Sequence, residues 1–411
     1  MSGANAEGTR HPMLSLPVVA LVLALLAALL AIRSGDPWRW MHDDNGRRYS
    51  SYARTHRALG LGVTRGRDFF YDPRTGRLVP YGHHPPALGL LLAGWFAATG
   101  HDGPRAARAL AGSFHLVSAV LVLGLARAYW APAPALVAAL AFAVVPMSAF
   151  FGKMVNFEPL VLPFFIGAIV SWWRGTEAGR GGRPVLTGAL VAFGTLIDWP
   201  ILLVLPVLLA DGVRRWRRSE GAAAVRAALG VTGVGLAVAA VVAVWTSGAV
   251  GLGELGAAAS FRFHLHGHYP WWELAGKLFD YNRRYFTEPV LAAGVVTAGI
   301  LVRDAWRQRP SVPRTRLLAL LGVAGVLPVV LFPTSARYHA YWQFYLLPYE
   351  TLAVAEVLER GGARLRPTPR RLVYAVVVVW LLGASAVTLR TRYTRPSGYV
   401  ERKVRELSPY L

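Results

Sequence analysis

Apolar residues fall in long blocks that recur along the whole chain, separated by short stretches rich in arginine, glycine and proline. The blocks lie at roughly 14–32, 87–99, 106–126, 132–151, 159–173, 185–198, 200–212, 227–248, 289–302, 317–332, 340–358 and 372–389. A helix of about 20 apolar residues crosses the hydrocarbon core of a bilayer. The pattern therefore predicts an all-α integral membrane protein. Its first block, Leu14 to Ile32, carries no charge and is followed by Arg33-Ser34-Gly35-Asp36-Pro37, with no small-residue cleavage site, so it is expected to remain as an anchor.

Charge decides which blocks cross. The strongly basic short loops are Arg174 to Arg183, Arg214 to Arg226, Arg303 to Arg316 and Arg360 to Arg371. If residues 1–13 are cytoplasmic, the positive-inside rule puts all four loops on that side only when one early block does not cross. Ala87 to Thr99 is short and begins after Pro85-Pro86, so it reads as an interfacial helix. About eleven transmembrane helices remain, forming one domain over 14–390. Two larger extracytoplasmic loops, about 33–105 and 249–288, face outward, and a short tail follows at 391–411. The balanced charge of loop 249–288 fits this arrangement better than the arginine-rich loop 33–105 does.

Of the 411 residues 54% are hydrophobic and only 16% charged, which excludes a single soluble domain. The net charge of +22 is explained by membrane topology and calls for no nucleic acid. Cysteine is absent, which removes disulfides, thiolate nucleophiles and Cys-ligated zinc.

The chemistry-bearing residues gather in the predicted outer segments. Asp43 and Asp44 stand just beyond the first span, after Trp38-Arg39-Trp40, where a carboxylate could serve as a general base or simply cap the helix that follows. Glu158, in Asn156-Phe157-Glu158-Pro159, falls at an outer turn on the same side. His83 and His84 precede Pro85-Pro86, which stiffens the chain, and an imidazole can bond a phosphate, hold a metal or carry a proton. Arg337 and His339 could reach a phosphate or cap two spans. The alternating His264, His266 and His268 could ligate a divalent metal or merely be solvated. Glu350 and Glu356 fall within a span, where packing against Arg or Tyr is expected and proton relay is the functional alternative. No glycine-rich phosphate loop follows a strand, so no nucleotide fold is expected.

A hydrophobic anchor, Asp43-Asp44, Tyr52-Ala53-Arg54, His83-His84-Pro85-Pro86 and Asn156-Phe157-Glu158-Pro159 occur in an order that resembles the GT-C membrane glycosyltransferases. The likeness is to the protein O-mannosyltransferase and aminoarabinose transferase group and covers most of 14–215. It implies an enzyme of a bacterial inner membrane, with its site facing the periplasm or exterior. Such an enzyme transfers a sugar from a polyprenyl-phosphate carrier to a lipid, glycan or protein acceptor, with no certain cofactor. It also implies catalytic roles for Asp44, with Asp43 the less favoured choice, and for Glu158, and donor-phosphate contacts for His83, His84, Arg337 and His339. Two departures stand out: His84 and Asp198 occupy positions where relatives often carry Lys. Asp198 is assigned a structural role only, since a carboxylate does not bind phosphate. A transporter is the first rival, but it predicts ionisable groups near the midplane, whereas the acids here lie in outer loops; a scaffold of envelope assembly is the second.

Overall fold

The computed structural model describes residues 14–38, 43–72, 75–179, 183–218, 222–263, 270–307 and 312–394. Proline punctuates it. Most helices carry a proline in their first turn, where the missing N–H costs nothing and the fixed φ favours the helical start.

Helix α1 (Leu16–Ala31) is followed by a covering layer of α2 (Asp43–Thr64), a two-stranded antiparallel hairpin and α3 (Ala87–Thr99). The hairpin, β1 (Phe69–Asp72) with β2 (Arg77–Pro80), pairs Phe69 with Pro80 and Asp72 with Arg77. It departs from the all-α expectation: the aromatic run Phe69-Phe70-Tyr71 favours an extended strand, and Gly76, at φ 67°, suits the turn. Gly60, at φ 75°, bends α2 where a side chain would be strained. The bundle continues with α4 (Pro104–Tyr129), α5 (Pro132–Val144) and α6 (Pro146–Ala149), and then a 3-10 turn, Phe151–Lys153. Pro146 breaks the fourth block, 132–151, and its two parts meet at 45°.

Next come α7 (Phe157–Glu177), α8 (Pro184–Ile197), a 3-10 turn at Trp199–Leu203, α9 (Val204–Arg217) and the long α10 (Ala223–Val250). The expected loop 249–288 holds two helices, α11 (Leu252–Phe263) and α12 (Trp271–Phe286). The chain closes with α13 (Glu288–Trp306), α14 (Pro313–Leu331), α15 (Pro333–Tyr338), a 3-10 segment at Ala340–Leu346, α16 (Leu347–Gly362) and α17 (Pro367–Thr394).

Among the described residues five helices are long and apolar enough to cross a membrane, or six with the bent pair, and α1, α3 and α8 are shorter apolar helices. Several apolar blocks thus divide into a 3-10 turn and a helix, as at 199–217 and 340–362. The interior is packed with Phe, Trp and Leu from α4, α5, α7, α14 and α16. The outside is equally oily. Val185 is 86% exposed and Val379 70%, an arrangement tolerated where lipid is the solvent.

Candidate functional site

A cavity of about 540 Å³ lies where the covering layer meets the start of α7 and the segment around α15, and Asn45, Tyr49, Tyr81, His83, His84, Asn156, Phe157, Glu158, Ser335, His339, Tyr341 and Trp342 are among the residues lining it. It opens beneath α2, whose first turns send Tyr49 and Tyr52 inward, and both rings are buried. Tyr49 meets Phe157 edge to face at 5.0 Å and Tyr52 meets Tyr81 at 5.5 Å. These rings exclude water and fix the His83-His84 segment. Gly82 packs against Val250 at the end of α10, so closely that a Cβ would lie 2.4 Å from the valine methyl.

Glu158 is 3% exposed and stands in the first turn of α7, where the positive helix end favours a carboxylate. Its side-chain partner is neutral: Asn156 Nδ2 donates to Glu158 Oε2 at 2.7 Å. Asn45 Nδ2 donates to the Tyr341 hydroxyl at 3.4 Å, bridging α2 to the late segment. The His84 ring stacks on Phe157 at 4.1 Å, and its Nδ1–H donates to Asp198 Oδ1 at 2.9 Å. The same carboxylate oxygen caps the following turn by accepting from the Trp199 backbone N–H at 3.0 Å. The two departures from the family pattern therefore touch each other. A carboxylate behind an imidazole orients its ring and fixes its tautomer, and Asp198, given a structural role from sequence, is in hydrogen-bond contact with His84.

His339 stacks on Tyr341 at 4.9 Å. Burial pushes its imidazole down to about 4, so at neutral pH it is an uncharged hydrogen-bonding group, and its Nδ1 has no hydrogen-bond partner among the described residues.

The predicted residues are only partly brought together. Glu158, His83, His84 and His339 line the cavity; Asp43, Asp44 and Arg337 do not. The Asp44 carboxylate is held by Arg47 at 2.8 Å and Arg48 at 3.3 Å, both on its own helix. It sits at the rim, one residue before the lining Asn45. Asp43 accepts from Arg108 at 3.1 Å. Arg108 also donates to the carbonyls of Ser34 at 2.9 Å and Asp36 at 2.6 Å, and lies over the Trp38 ring. Asp43 is thus a strut between the first outer segment and α4. Arg337 offers its carbonyl to the Tyr281 hydroxyl at 3.1 Å, and its guanidinium lies 5.8 Å from the Tyr338 ring centre. Among the described residues no group of three His, Asp or Glu is placed to hold a metal; His264, His266 and His268 lie outside them.

The sequence matches the family model "Dolichyl-phosphate-mannose-protein mannosyltransferase" over residues 83–245, a stretch that opens on His83 and contains Glu158 and Asp198. Among solved structures, the chain is similar to the apo oligosaccharyltransferase of Archaeoglobus fulgidus, with a TM-score of 0.59 at 12% identity, covering 91% of this chain and 56% of that one. It is also similar to AglB from the same organism in complex with an inhibitory peptide and a dolichol-phosphate, with a TM-score of 0.57, 14% identity and coverage of 93% and 56%. ArnT from Cupriavidus metallidurans bound to undecaprenyl phosphate gives a TM-score of 0.54, 18% identity and coverage of 90% and 70%. The chain spans a little over half the length of the first two. No curated protein matches it by sequence. The chain has the GT-C fold of membrane glycosyltransferases.

Proposed function

We propose that this chain is a glycosyltransferase that takes a sugar from a polyprenyl-phosphate carrier and passes it to a lipid, glycan or protein acceptor of a bacterial envelope. One observation carries the reading: a cavity walled by aromatic rings is lined both by Glu158, which accepts from the Asn156 amide, and by the Asp198-backed imidazole of His84. That pairing suits transfer with inversion. An acceptor hydroxyl attacks C1 of the sugar, the bond from C1 to the phosphate oxygen breaks, and the hydroxyl proton passes to a carboxylate. The departing lipid phosphate gains negative charge as it leaves, and protonated His84, with His83, stabilises it. Neutral His339 contributes a hydrogen bond. Glu158 is best placed to receive the proton; Asp44 at the rim orients the acceptor. Polyprenyl-phosphate ligands in the similar ArnT and AglB structures support a donor that enters from the membrane.

The domain over 14–390 is proposed to sit in a bacterial inner membrane with this cavity facing the periplasm or exterior. Three of the four basic loops gather around one cavity at the opposite end of the bundle, and Glu177 of the fourth pairs with Arg316 and Arg215, which supports that orientation. Cysteines placed at exposed Thr75 and Trp216 of the cysteine-free chain test it. In intact cells an impermeant thiol reagent should label position 75 and spare 216, and the reverse pattern would overturn the orientation. For the reaction itself, purified protein is offered a panel of radiolabelled polyprenyl-phosphate sugars. Release of the carrier phosphate with at least one of them is the expected result. Folded protein that turns over none of them would remove the assignment.

A further inference from the structure

A second cavity is larger than the one just discussed. It measures about 1110 Å³, and eight arginines line it against three carboxylates. Helix α7 separates the two. Glu158 in its first turn faces the smaller cavity, whereas Glu177 at its end pairs with Arg316 of the larger one, about 30 Å away at 1.5 Å per residue.

Basic loops at one end of a membrane bundle are expected from topology alone. A built, concave wall is not. Two buried acids organise it. Asp211 accepts from Arg316 Nε at 2.9 Å and from the Trp172 indole N–H at 2.9 Å. Glu356, wholly buried, receives Arg360 Nε at 2.5 Å and the Trp130 indole N–H at 3.0 Å, and pairs with Arg314 at 3.0 Å. These contacts consume the charge of the inner arginines. Arg218, Arg307 and Arg364 line the same cavity with no carboxylate in ion-pair range among the described residues. Apart from Thr315 the rest of the lining is aliphatic and includes Leu301, Leu320 and Val323. Val323 is 53% exposed, as is Val302 beside this wall at 67%, on the lipid-facing surface.

We propose that this cavity binds an anionic phospholipid, with the headgroup phosphate among Arg218, Arg307 and Arg364 and acyl chains along Leu301, Leu320 and Val323. Arginines presented at a headgroup-level pocket between membrane helices match phosphate in charge and geometry. The continuous aliphatic wall selects a lipid over a soluble anion. The inference is independent of glycosyl transfer.

Native mass spectrometry of delipidated protein with added cardiolipin, phosphatidylglycerol or phosphatidylethanolamine tests it. The wild type should retain the two anionic lipids at least tenfold better than the zwitterionic one. The triple variant Arg218→Gln, Arg307→Gln, Arg364→Gln should lose that preference. A control with Arg226→Gln, Arg366→Gln and Arg371→Gln removes equal charge from the same end and should keep it. Should the triple variant not fold, each of its single substitutions should weaken retention about threefold. Equal loss in the control, or no loss in the cavity variants, overturns the site. Complete displacement by millimolar inorganic phosphate would make the ligand a soluble anion, and preference for undecaprenyl phosphate over both phospholipids would make it a carrier lipid; either result overturns the phospholipid.

Discussion

The two ends of α7 use the same residue types to opposite effect. At the end holding Arg316, buried acids are saturated by guanidinium: Asp211 with Arg316, and Glu356 with Arg314 and Arg360. At the other end Glu158 meets an amide and Asp198 meets an imidazole. A carboxylate bound by arginine is fixed in its charged state and has little left for chemistry. A buried carboxylate with softer partners can change its protonation or meet an incoming group. Under the proposed function, the difference separates a structural end from the end assigned to the reaction.

The largest contrast should come from removing one charge at each end. Glu158→Gln keeps size and some hydrogen bonding and should lower sugar transfer by about 100-fold or more, with little change in thermal unfolding. Turnover within a few-fold of the parent would move the reactive carboxylate to Asp44, whose Asn variant is assayed alongside. Asp211→Asn should show the converse. It strands a buried guanidinium and should cost stability near the lower end of about 3–5 kcal/mol, since Glu177 still holds Arg316; unfolding in detergent reads the loss, and turnover of the surviving protein should stay close to normal.

A smaller effect sharpens the role of the imidazole. Asp198→Asn should raise the donor KM about tenfold, the scale of a hydrogen bond to a charged group at about 1.5 kcal/mol, while kcat changes less. His84→Ala should do the same, and the double variant should be little worse than either, because both remove one interaction. Additive losses would mean that the two residues act separately.

The smallest effects lie in the dependence of stability on pH, where two buried groups of the covering layer and the late turn oppose each other. Burial pushes the Asp68 carboxyl up to about 6, against the pull of the His56 hydrogen bond. Its contribution is present below the ordinary carboxylate value and is lost as pH rises through about 6. His339, held down to about 4, contributes stability that is present above the ordinary histidine value and lost as pH falls through about 4. Between about pH 4 and 6 the slopes partly cancel. Asp68→Asn should therefore make stability rise more steeply with pH in that window, and His339→Gln should make it rise less; thermal unfolding at intervals of half a pH unit distinguishes the two.

Much of this molecule is set locally and can be read along the chain. Apolar blocks of spanning length fix its solvent as lipid, first-turn prolines fix where helices start, and the clustering of arginine in four short loops fixes which ends lie together. The order of Asp43-Asp44, His83-His84-Pro85-Pro86 and Asn156-Phe157-Glu158-Pro159 was enough to suggest the GT-C fold. Tertiary structure decided what the sequence pattern could not. It placed Asp198, 114 residues from His84, behind that imidazole, and left Asp44 bound to its own helix at the rim. It gathered arginines from three separate loops around one cavity. It also closed β1 on β2 within the outer loop 33–105 of a chain expected to be all-α. The reason is the range of the forces involved. Hydrophobic periodicity and backbone preference act between near neighbours and leave a mark at every position. Which buried carboxylate meets an imidazole and which meets a guanidinium depends on how the spans pack, and packing brings together residues that share no local signal.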